Sequence, residues 1–295
     1  MPTVPFFIVD VFAEAKYHGN QLAVFTDAGG LSGADMQRLA KEMHFSESTF
    51  LLSREPRGGG YDVRIFTPEA EVPFAGHPTL GTAFVIQQEI LKSRVDTVIL
   101  NLAVGPVPVT FSYLMEGPDV LWMRQPAPEF GTTFPHGSLA PVLGLEEAAL
   151  DTRFPVQEVS TGLPFVMVPL QDLAALKKVK VDRDRCLSLL ADAQAKALLA
   201  FSPETHQRRT DLSVRVFADY YGIPEDPATG SANGCLAAYL TRHRYFGSDK
   251  IDVTVEQGHE IGRPSLLYLR ATEEAGGIAV LVGGGVKMIA HGSFL

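Results

Sequence analysis

Residues 226–240 read DPATGSANGCLAAYL and hold the features on which the fold prediction depends. A turn at Asp226-Pro227 and a small polar pair, Gly230 and Ser231, lead into an apolar run with helical spacing. The first amides of a helix lack intrahelical partners and lie at the positive end of its dipole, so this stretch predicts a helix start that binds a carboxylate or phosphate. Two simpler interpretations stay open at this point, in which Ser231 only caps the helix and Asp226 only forms the turn.

A second stretch of the same design lies in the first half of the chain. Residues 74–84 read FAGHPTLGTAF, with Gly76 and His77 ahead of another apolar helical run. Each helix follows a similar strand, VRIF in the first half and VRVF in the second. Matched elements recur at an offset of about 150 residues, half the chain, which indicates an internal duplication.

Composition and charge exclude several classes of protein. The chain has 295 residues, 46% of them hydrophobic, which is enough for two domains with cores of their own. A net charge of -9 argues against nucleic acid as a partner, since phosphate binding needs a concentrated basic surface. The two cysteines, Cys186 and Cys235, lie in apolar helical patterns and are predicted to be buried and free. Because the first apolar run has no basic residues before it and no run approaches the roughly 18 residues of a membrane span, we expect a cytoplasmic protein without a membrane partner.

The order of the elements predicts an α+β fold of two domains. We expect the first domain to span residues 1–128 and the second residues 129–285, with the proline- and glycine-rich stretch 125–135 as their boundary and the closing strand, 286–295, packed back on the first domain. Each domain is predicted to wrap a curled, mostly antiparallel or mixed sheet around one central helix. A pseudo-twofold relation between the domains would bring the two helix starts face to face across an active cleft.

Chemistry is expected where the two copies differ. Glu47 begins the strand ESTFLL, whereas the matching strand KALLAF offers Lys196 or Ala197. A carboxyl at the edge of an apolar cleft can have its pKa raised toward neutrality, which suits a group that both takes and returns a proton. Glu47 is therefore the candidate acid/base, and the alternative is an ordinary surface glutamate at a strand start.

Four further residues are candidates for substrate binding, each with a structural alternative. His77 is expected to donate to a substrate carboxylate or to tune a neighbouring acid, or else simply to cap its helix. Asp226 would hold an amine, a hydroxyl or a histidine nitrogen, and Ser231 stands at the position that matches His77. Asn20, at the start of the second strand, faces the cleft or serves a turn.

Other motifs are absent from the sequence. The histidines lack metal-ligand spacing, so no metal is predicted, and there is no phosphate-binding loop or dinucleotide fingerprint. GSANG at 230–234 departs from the nucleophile elbow, which weakens the case for Ser231 as a hydrolase nucleophile. The glycine run 283–285 is interpreted as a turn.

Together, DPATGSANG, PFAGHPTLGTA, HFSESTF and the N-terminal VDVFAEAKYHGNQLAVF resemble the phenazine-biosynthesis isomerase-like (PhzF-like) family from end to end. The resemblance implies two domains of the diaminopimelate-epimerase fold and a proton shift within a dihydro-hydroxyanthranilate without a cofactor. It places the family's catalytic glutamate on Glu47, its substrate-contacting residues on His77, Asp226 and Ser231, and its carboxylate-binding amides on Gly76 and Gly230. Related epimerases use two opposed thiols, but their positions here hold Ala75 and Ser231, which disfavours two-thiol racemisation. The family usually has Asn-Pro where this chain has Asn20-Gln21, which puts the shape of that turn in doubt.

The resulting hypothesis is a cofactor-independent isomerase of a small carboxylate-bearing metabolite, with Glu47 as general acid/base. A non-catalytic carboxylate-binding protein of the same fold is the alternative, and a serine hydrolase is a third, weaker one. A homodimer is expected from the strand-rich surface.

Overall fold

The fold is that of a computed structural model, which describes residues 3–114 and 119–295. Strands dominate it. They are β1 (Val4–Val11), β2 (Asn20–Phe25), β3 (Glu47–Leu51), β4 (Tyr61–Phe66), β5 (Glu71–Val72), β6 (Thr97–Leu102), β7 (Gly105–Ser112), β8 (Val120–Arg124), β9 (Glu129–Phe134), β10 (Val156–Ser160), β11 (Pro164–Pro169), β12 (Leu198–Ser202), β13 (Leu212–Ala218), β14 (Ile223–Asp226), β15 (Lys250–Gln257), β16 (Ser265–Glu274), β17 (Gly277–Gly284) and β18 (Val286–Phe294). The α-helices are α1 (Gly33–Met43), α2 (Gly76–Val85), α3 (His136–Leu139), α4 (Leu173–Lys178), α5 (Arg183–Leu189) and α6 (Gly230–Arg242). The predicted α+β class is confirmed.

The chain divides into two compact units. The first runs to Met123 and also includes Gly283–Leu295, and the second is Arg124–Val282. The closing strand β18 pairs antiparallel with β1, along almost the whole length of both strands. The pseudo-twofold relation of the two units stays a prediction.

In the first unit, the strands surround α2. β1 pairs antiparallel with β2, β2 parallel with β3, β3 antiparallel with β4, β4 parallel with β6, and β6 antiparallel with β7. Helix α2 packs against β1, β2, β3, β6 and β7, and nine of its ten residues are buried. Gly81 permits this approach, because a Cβ there would lie 2.6 Å from Leu22 Cδ2. Each large apolar side chain that the helix buries contributes roughly 1.5–3 kcal/mol.

The second unit has the same order of pairing around α6. β10 pairs antiparallel with β11, β11 parallel with β12, β12 antiparallel with β13, β13 parallel with β15, and β15 antiparallel with β16. The helix contacts β10, β11, β15 and β16. The parallel connections require crossovers, and the sequence-matched helices lie in the last crossover of each unit.

The strand registers identify the counterpart of Glu47. In the first unit Phe66 lies opposite Ser48, the residue after Glu47. In the second unit the matching Phe217 lies opposite Leu198, the residue after Ala197. Of the two residues that the sequence offered as counterparts, the register selects Ala197, so the acid has no equivalent in the second copy.

Two local predictions are confirmed. The spacing of Ser32 and Asp35 predicts a capping box, and Ser32 caps α1, accepting a hydrogen bond from the Asp35 amide at 3.2 Å and donating one to its carboxylate at 2.6 Å. Cys186 and Cys235 are buried and free. No helix in the described ranges, 3–114 and 119–295, is both long and apolar enough to cross a membrane.

Two stretches form strands that the sequence did not predict. Part of the stretch 125–135, predicted as the domain boundary, forms β9, which pairs antiparallel with β10. The predicted glycine turn at 283–285 instead contributes Gly283 and Gly284 to β17. These glycines serve close packing, because Cβ atoms there would lie 2.6 Å from the Trp122 ring and 2.3 Å from the Phe12 ring, respectively.

Candidate active site

Glu47 lies at the first position of β3, next to a helix end. Helix α1 stops at His44, which adopts the left-handed conformation with φ 56°, and the chain then turns into the strand. The parallel register of β2 and β3 sets Glu47 beside Leu22. The Glu47 side chain is 19% exposed, so the carboxyl is held at the margin of the core.

His77 is the second residue of α2 and is buried. Its Nε2 atom lies 3.5 Å from Glu47 Oε2, so the structure brings together two of the predicted site residues within the first unit. A hydroxyl pair reinforces this geometry, because Thr49 Oγ1 of β3 and Thr82 Oγ1 of α2 are 2.8 Å apart. This hydrogen bond holds α2 and β3 together close to the contact between His77 and Glu47.

The protonation of His77 follows from its surroundings. Burial lowers the pKa of His77 from 6.5 to about 3, although a hydrogen bond to the Gln21 backbone works in the opposite direction. A bond that raises a histidine pKa is one that the ring donates. Within the described part of the chain Nε2 makes no hydrogen bond, so the donor is Nδ1. The ring is therefore neutral near pH 7, with its Nε2 lone pair directed toward a Glu47 oxygen, and the contact is not an ion pair.

This arrangement is suited to proton transfer by Glu47. A neutral imidazole with Nε2 as acceptor can receive a hydrogen bond from a protonated Glu47 but leaves an ionised Glu47 without added positive charge. Such a hydrogen bond would favour the acid form, which must exist for the group to give a proton back.

The start of α2 supplies the remaining predicted groups of the first unit. Gly76 is its first residue, its N-cap Ala75 makes no side-chain capping bond, and Pro78 has no N–H, so the amides of Gly76 and His77 are available to a ligand. Proline is typical of the first helical position and so predicts a helix start at Pro78, but Pro78 is the third helical residue. Asn20 is buried at the first position of β2, next to Gln21, whose backbone accepts a hydrogen bond from the His77 ring. Its role in substrate binding stays a prediction.

In the second unit, Asp226 ends β14 and lies opposite Val216. It is buried, and its Oδ2 accepts a short hydrogen bond from Thr229 Oγ1. Asp226 is therefore a strand-end carboxylate that bonds to the loop that follows it, and its role in substrate binding stays a prediction.

Helix α6 begins at Gly230, with Thr229 as N-cap and no side-chain capping bond. Ser231 is the second helical residue, so the prediction that it caps the helix is wrong. Gly230 and Ser231 present first-turn amides without intrahelical partners, as Gly76 and His77 do in α2. No hydrogen bond joins the Ser231 hydroxyl to a histidine or carboxylate within residues 3–114 and 119–295, which leaves it without the base that a nucleophilic serine needs.

Gln257, the last residue of β15, was missed by sequence reasoning. It is fully buried and its side chain bonds to the loop between Asp226 and α6. Because it lies 31 residues from Asp226 and belongs to no recognised motif, only the parallel pairing of β15 with β13 reveals it.

A titratable cluster behind this loop was also missed. Among the residues described, His206, Glu256 and His259 form the one group whose ligand atoms lie within 4.8 Å of one another. The Glu256 carboxylate accepts from Ser213 Oγ at 2.6 Å, and burial opposes its ionisation, but hydrogen bonds from His259, Ser213 and His206 lower the pKa of Glu256 to about 2.

The geometry of this cluster does not suit a metal ion. The two histidine rings are stacked 4.1 Å apart at 7°, so their in-plane lone pairs do not converge on one point. His206 Nδ1 lies 2.9 Å from Glu256 Oε1, which hydrogen bonds already occupy. We assign the cluster a structural role, and the predicted absence of a metal stays a prediction.

Cys235 does not provide catalytic sulfur chemistry. Burial raises the pKa of its thiol to about 11, against weaker contributions from hydrogen bonds with Thr161. A thiol of that pKa is not ionised near neutrality and is a poor base or nucleophile.

Comparisons with known proteins identify the relatives of this chain. The family described as phenazine biosynthesis-like protein matches residues 9–292. The trans-2,3-dihydro-3-hydroxyanthranilate isomerase of Pseudomonas aeruginosa is 38% identical over 264 residues, covering 90% of this chain and 89% of the relative. A phenazine biosynthesis protein of the PhzF family from Bacillus anthracis has a TM-score of 0.92 at 28% identity and covers 100% of both chains. A hydroxyproline epimerase from Agrobacterium vitis, 10% identical, covers 100% of this chain and 91% of its own with a TM-score of 0.61, and shares the fold alone.

Proposed function

The chain belongs to the phenazine biosynthesis-like protein family and is an isomerase, and we propose that Glu47 is the general acid/base with which it moves a proton on its substrate. The observation that carries this proposal is the 3.5 Å contact between Glu47 Oε2 and the buried, neutral His77. The contact supports the acid form of Glu47 without supplying a second charge.

The reaction is a proton shift that needs no change of redox state. Ionised Glu47 removes a proton from a ring carbon made acidic by the neighbouring unsaturation, and the electron pair moves through the conjugated system. The protonated carboxyl, hydrogen-bonded to His77 Nε2, then returns the same proton to another carbon on the same face. One carboxyl completes the cycle and is regenerated, so the chemistry requires no cofactor.

We propose a small cyclic amino or hydroxy carboxylate as substrate. The curated relative from Pseudomonas aeruginosa is named for trans-2,3-dihydro-3-hydroxyanthranilate, and its 38% identity supports the same class here. The substrate carboxylate would bind first-turn amides at Gly76 and Gly230, and Asp226 would accept from the amine or hydroxyl. Asn20 and Ser231 complete the proposed binding set. We infer from the duplication that both helix starts bind one substrate.

The test is turnover and solvent exchange in D2O, followed by NMR with trans-2,3-dihydro-3-hydroxyanthranilate. Glu47→Gln should lower kcat by roughly 100-fold or more, because a positioned proton-transfer group contributes on that order. Glu42→Gln, at an exposed position in the same unit, is the matched control and should keep wild-type activity. Turnover by Glu47→Gln within a few-fold of wild type would remove Glu47 from the mechanism.

We propose a cytoplasmic homodimer, supported by the composition and by the strand-rich surface. Sedimentation equilibrium decides the assembly, since a mass of one chain at micromolar concentration contradicts the dimer.

A further inference from the structure

Gln257 uses its whole side-chain amide to hold the loop between Asp226 and α6. Its Nε2 donates to the Asp226 carbonyl oxygen at 2.7 Å and to Thr229 Oγ1 at 3.1 Å. Its Oε1 accepts from the Thr229 amide at 3.2 Å and from Asn233 Nδ2 at 2.9 Å. With two donors and two acceptor lone pairs, the side chain has no hydrogen-bonding capacity left.

The backbone around Gln257 is held as firmly as its side chain. β15 lies between two strands, with Gln257 opposite Val214 of β13 and Ser265 of β16. The next residue, Gly258, has φ +77°, and a Cβ there would lie 2.6 Å from the Pro227 carbonyl oxygen. Ser265 Oγ donates to the same carbonyl at 2.9 Å. The end of β15 is therefore built against the Asp226–Pro227 backbone and cannot shift independently of it.

A two-step chain of hydrogen bonds connects Gln257 to the Asp226 carboxylate. Thr229 Oγ1 accepts from Gln257 Nε2 and donates to Asp226 Oδ2. The glutamine thus directs the threonine hydroxyl proton toward the carboxylate, and it holds the carbonyl of the same aspartate. This one amide therefore contacts the Asp226 backbone directly and the Asp226 side chain through Thr229.

We propose that Gln257 is a positioning residue of the isomerase site, which sets the Asp226 carboxylate and the first amides of α6 at the spacing that the substrate requires. This proposal rests on the proposed function, because it takes Asp226, Gly230 and Ser231 as substrate-binding groups. Gln257 itself does not touch the substrate. Its effect is geometric, and a displacement of about 1 Å at a binding group can cost on the order of 100-fold in rate.

The chemistry of the amide makes the proposal specific for glutamine. A glutamate at this position keeps both acceptor bonds but, when ionised, cannot donate to the Asp226 carbonyl oxygen or to Thr229. When protonated, one carboxyl oxygen again donates while the other accepts, and most of the pattern returns. Gln257→Glu should therefore be inactive when ionised and recover as the pH falls through the pKa of the new carboxyl, which burial raises above its usual value of about 4.3.

The experiment compares Gln257→Leu and Gln257→Glu with Gln157→Leu. Gln157 is the matched control, since its Oε1 lies 2.8 Å from Nε2 of His243, at the opposite end of α6, and its Nε2 donates to the Gly131 carbonyl oxygen at 3.3 Å. Both leucine variants lose side-chain hydrogen bonds of the second unit and both should lower stability. Three readouts are taken: kcat and KM for trans-2,3-dihydro-3-hydroxyanthranilate, the pH dependence of activity relative to wild type, and amide hydrogen exchange of residues 226–231.

The expected result is confined to position 257. Gln257→Leu should lower kcat/KM by roughly 100-fold and speed amide exchange at 226–231, Gln157→Leu should do neither, and Gln257→Glu should regain activity relative to wild type at lower pH. Any one of three results would overturn the proposal. They are equal activities of the two leucine variants, unchanged amide exchange at 226–231, and a ratio of Gln257→Glu activity to wild-type activity that does not depend on pH. If the wild-type protein fails to turn over the substrate, the proposed function fails, and the exchange data alone still decide whether Gln257 sets the loop.

Discussion

The burial of a neutral histidine against Glu47 makes the stability of the first unit depend on pH in a defined direction. The perturbation is His77→Asn, with His77→Gln as a second variant should the first fold poorly. His77 is 5% exposed, and burial lowers its pKa from 6.5 to about 3 in spite of the hydrogen bond to the Gln21 backbone. In the unfolded chain the ring is solvated and titrates near 6.5.

The sign and size follow from linkage between proton binding and folding. Between pH 6.5 and pH 3 the unfolded state binds a proton at His77 that the folded state does not, so stability falls as the pH falls. The loss is about 1.4 kcal/mol per pH unit, and it reaches about 3 kcal/mol over the roughly 2.5 units from pH 6.5 to pH 4. A variant without the imidazole lacks this contribution, although it is less stable at neutral pH because the packed ring is gone.

The assay is urea unfolding followed by the fluorescence of Trp122, the single tryptophan of the chain, which is buried in the first unit. The free energy of unfolding is measured from pH 7.5 to pH 4, and the difference between wild type and His77→Asn should shrink by about 3 kcal/mol across that range. His44→Asn removes an exposed histidine that ends α1 and should retain the wild-type pH dependence, because it keeps His77. A difference that stays constant from pH 7.5 to pH 4 would refute the reasoning, since it would mean that the pKa of His77 is the same in the folded protein as in the unfolded chain.

Two further predictions concern packing and sulfur chemistry. Gly284→Ala should lower the free energy of unfolding by roughly 1–3 kcal/mol, because the new Cβ would lie 2.3 Å from the ring of Phe12, and the Phe12 backbone, with φ 62°, is constrained against moving away. Gly30→Ala is the control in the same unfolding assay, since no atom lies within 4 Å of its Cβ. Equal stabilities of the two variants would contradict the packing argument. Cys235→Ala should retain isomerase activity within a few-fold, and wild-type activity should survive maleimide treatment, because burial raises the thiol pKa of Cys235 to about 11. A loss of 100-fold or more in steady-state rate would show that the thiol takes part in the mechanism.

Local signals were sufficient wherever short-range chemistry decides the structure. Ser32 and Asp35 form their capping box within one turn, so spacing alone predicted it. The duplicated strand-loop-helix stretches likewise predicted both central helices, since each carries a continuous apolar run. The same signals misplaced the helix starts by one or two residues, because the first turn of α2 and that of α6 lack side-chain caps that would mark them.

Signals failed where a long-range contact outweighs local propensity. The proline- and glycine-rich stretch 125–135 predicted a domain boundary and no strand, yet pairing with β10 makes part of it β9. Three consecutive glycines at 283–285 predicted a turn, but Trp122 and Phe12 need the space that two of those glycines leave in β17. In both cases the deciding partner lies too far along the chain for a local pattern to reveal it.

The sequence by itself determined the α+β class, the repeated motifs, the candidate acid Glu47 and the presence of the two central helices, because apolar periodicity, turn residues and repeated motifs are properties of neighbouring positions. Only the tertiary structure decided that Ala197 is the counterpart of Glu47, that His77 is neutral and lies 3.5 Å from that acid, and that Gln257 holds the loop of Asp226. Register, burial and hydrogen bonding across distant strands set these three features. They arise when the chain closes on itself, since a pKa or a side-chain position is a property of everything packed around the group and not of the residues beside it in sequence.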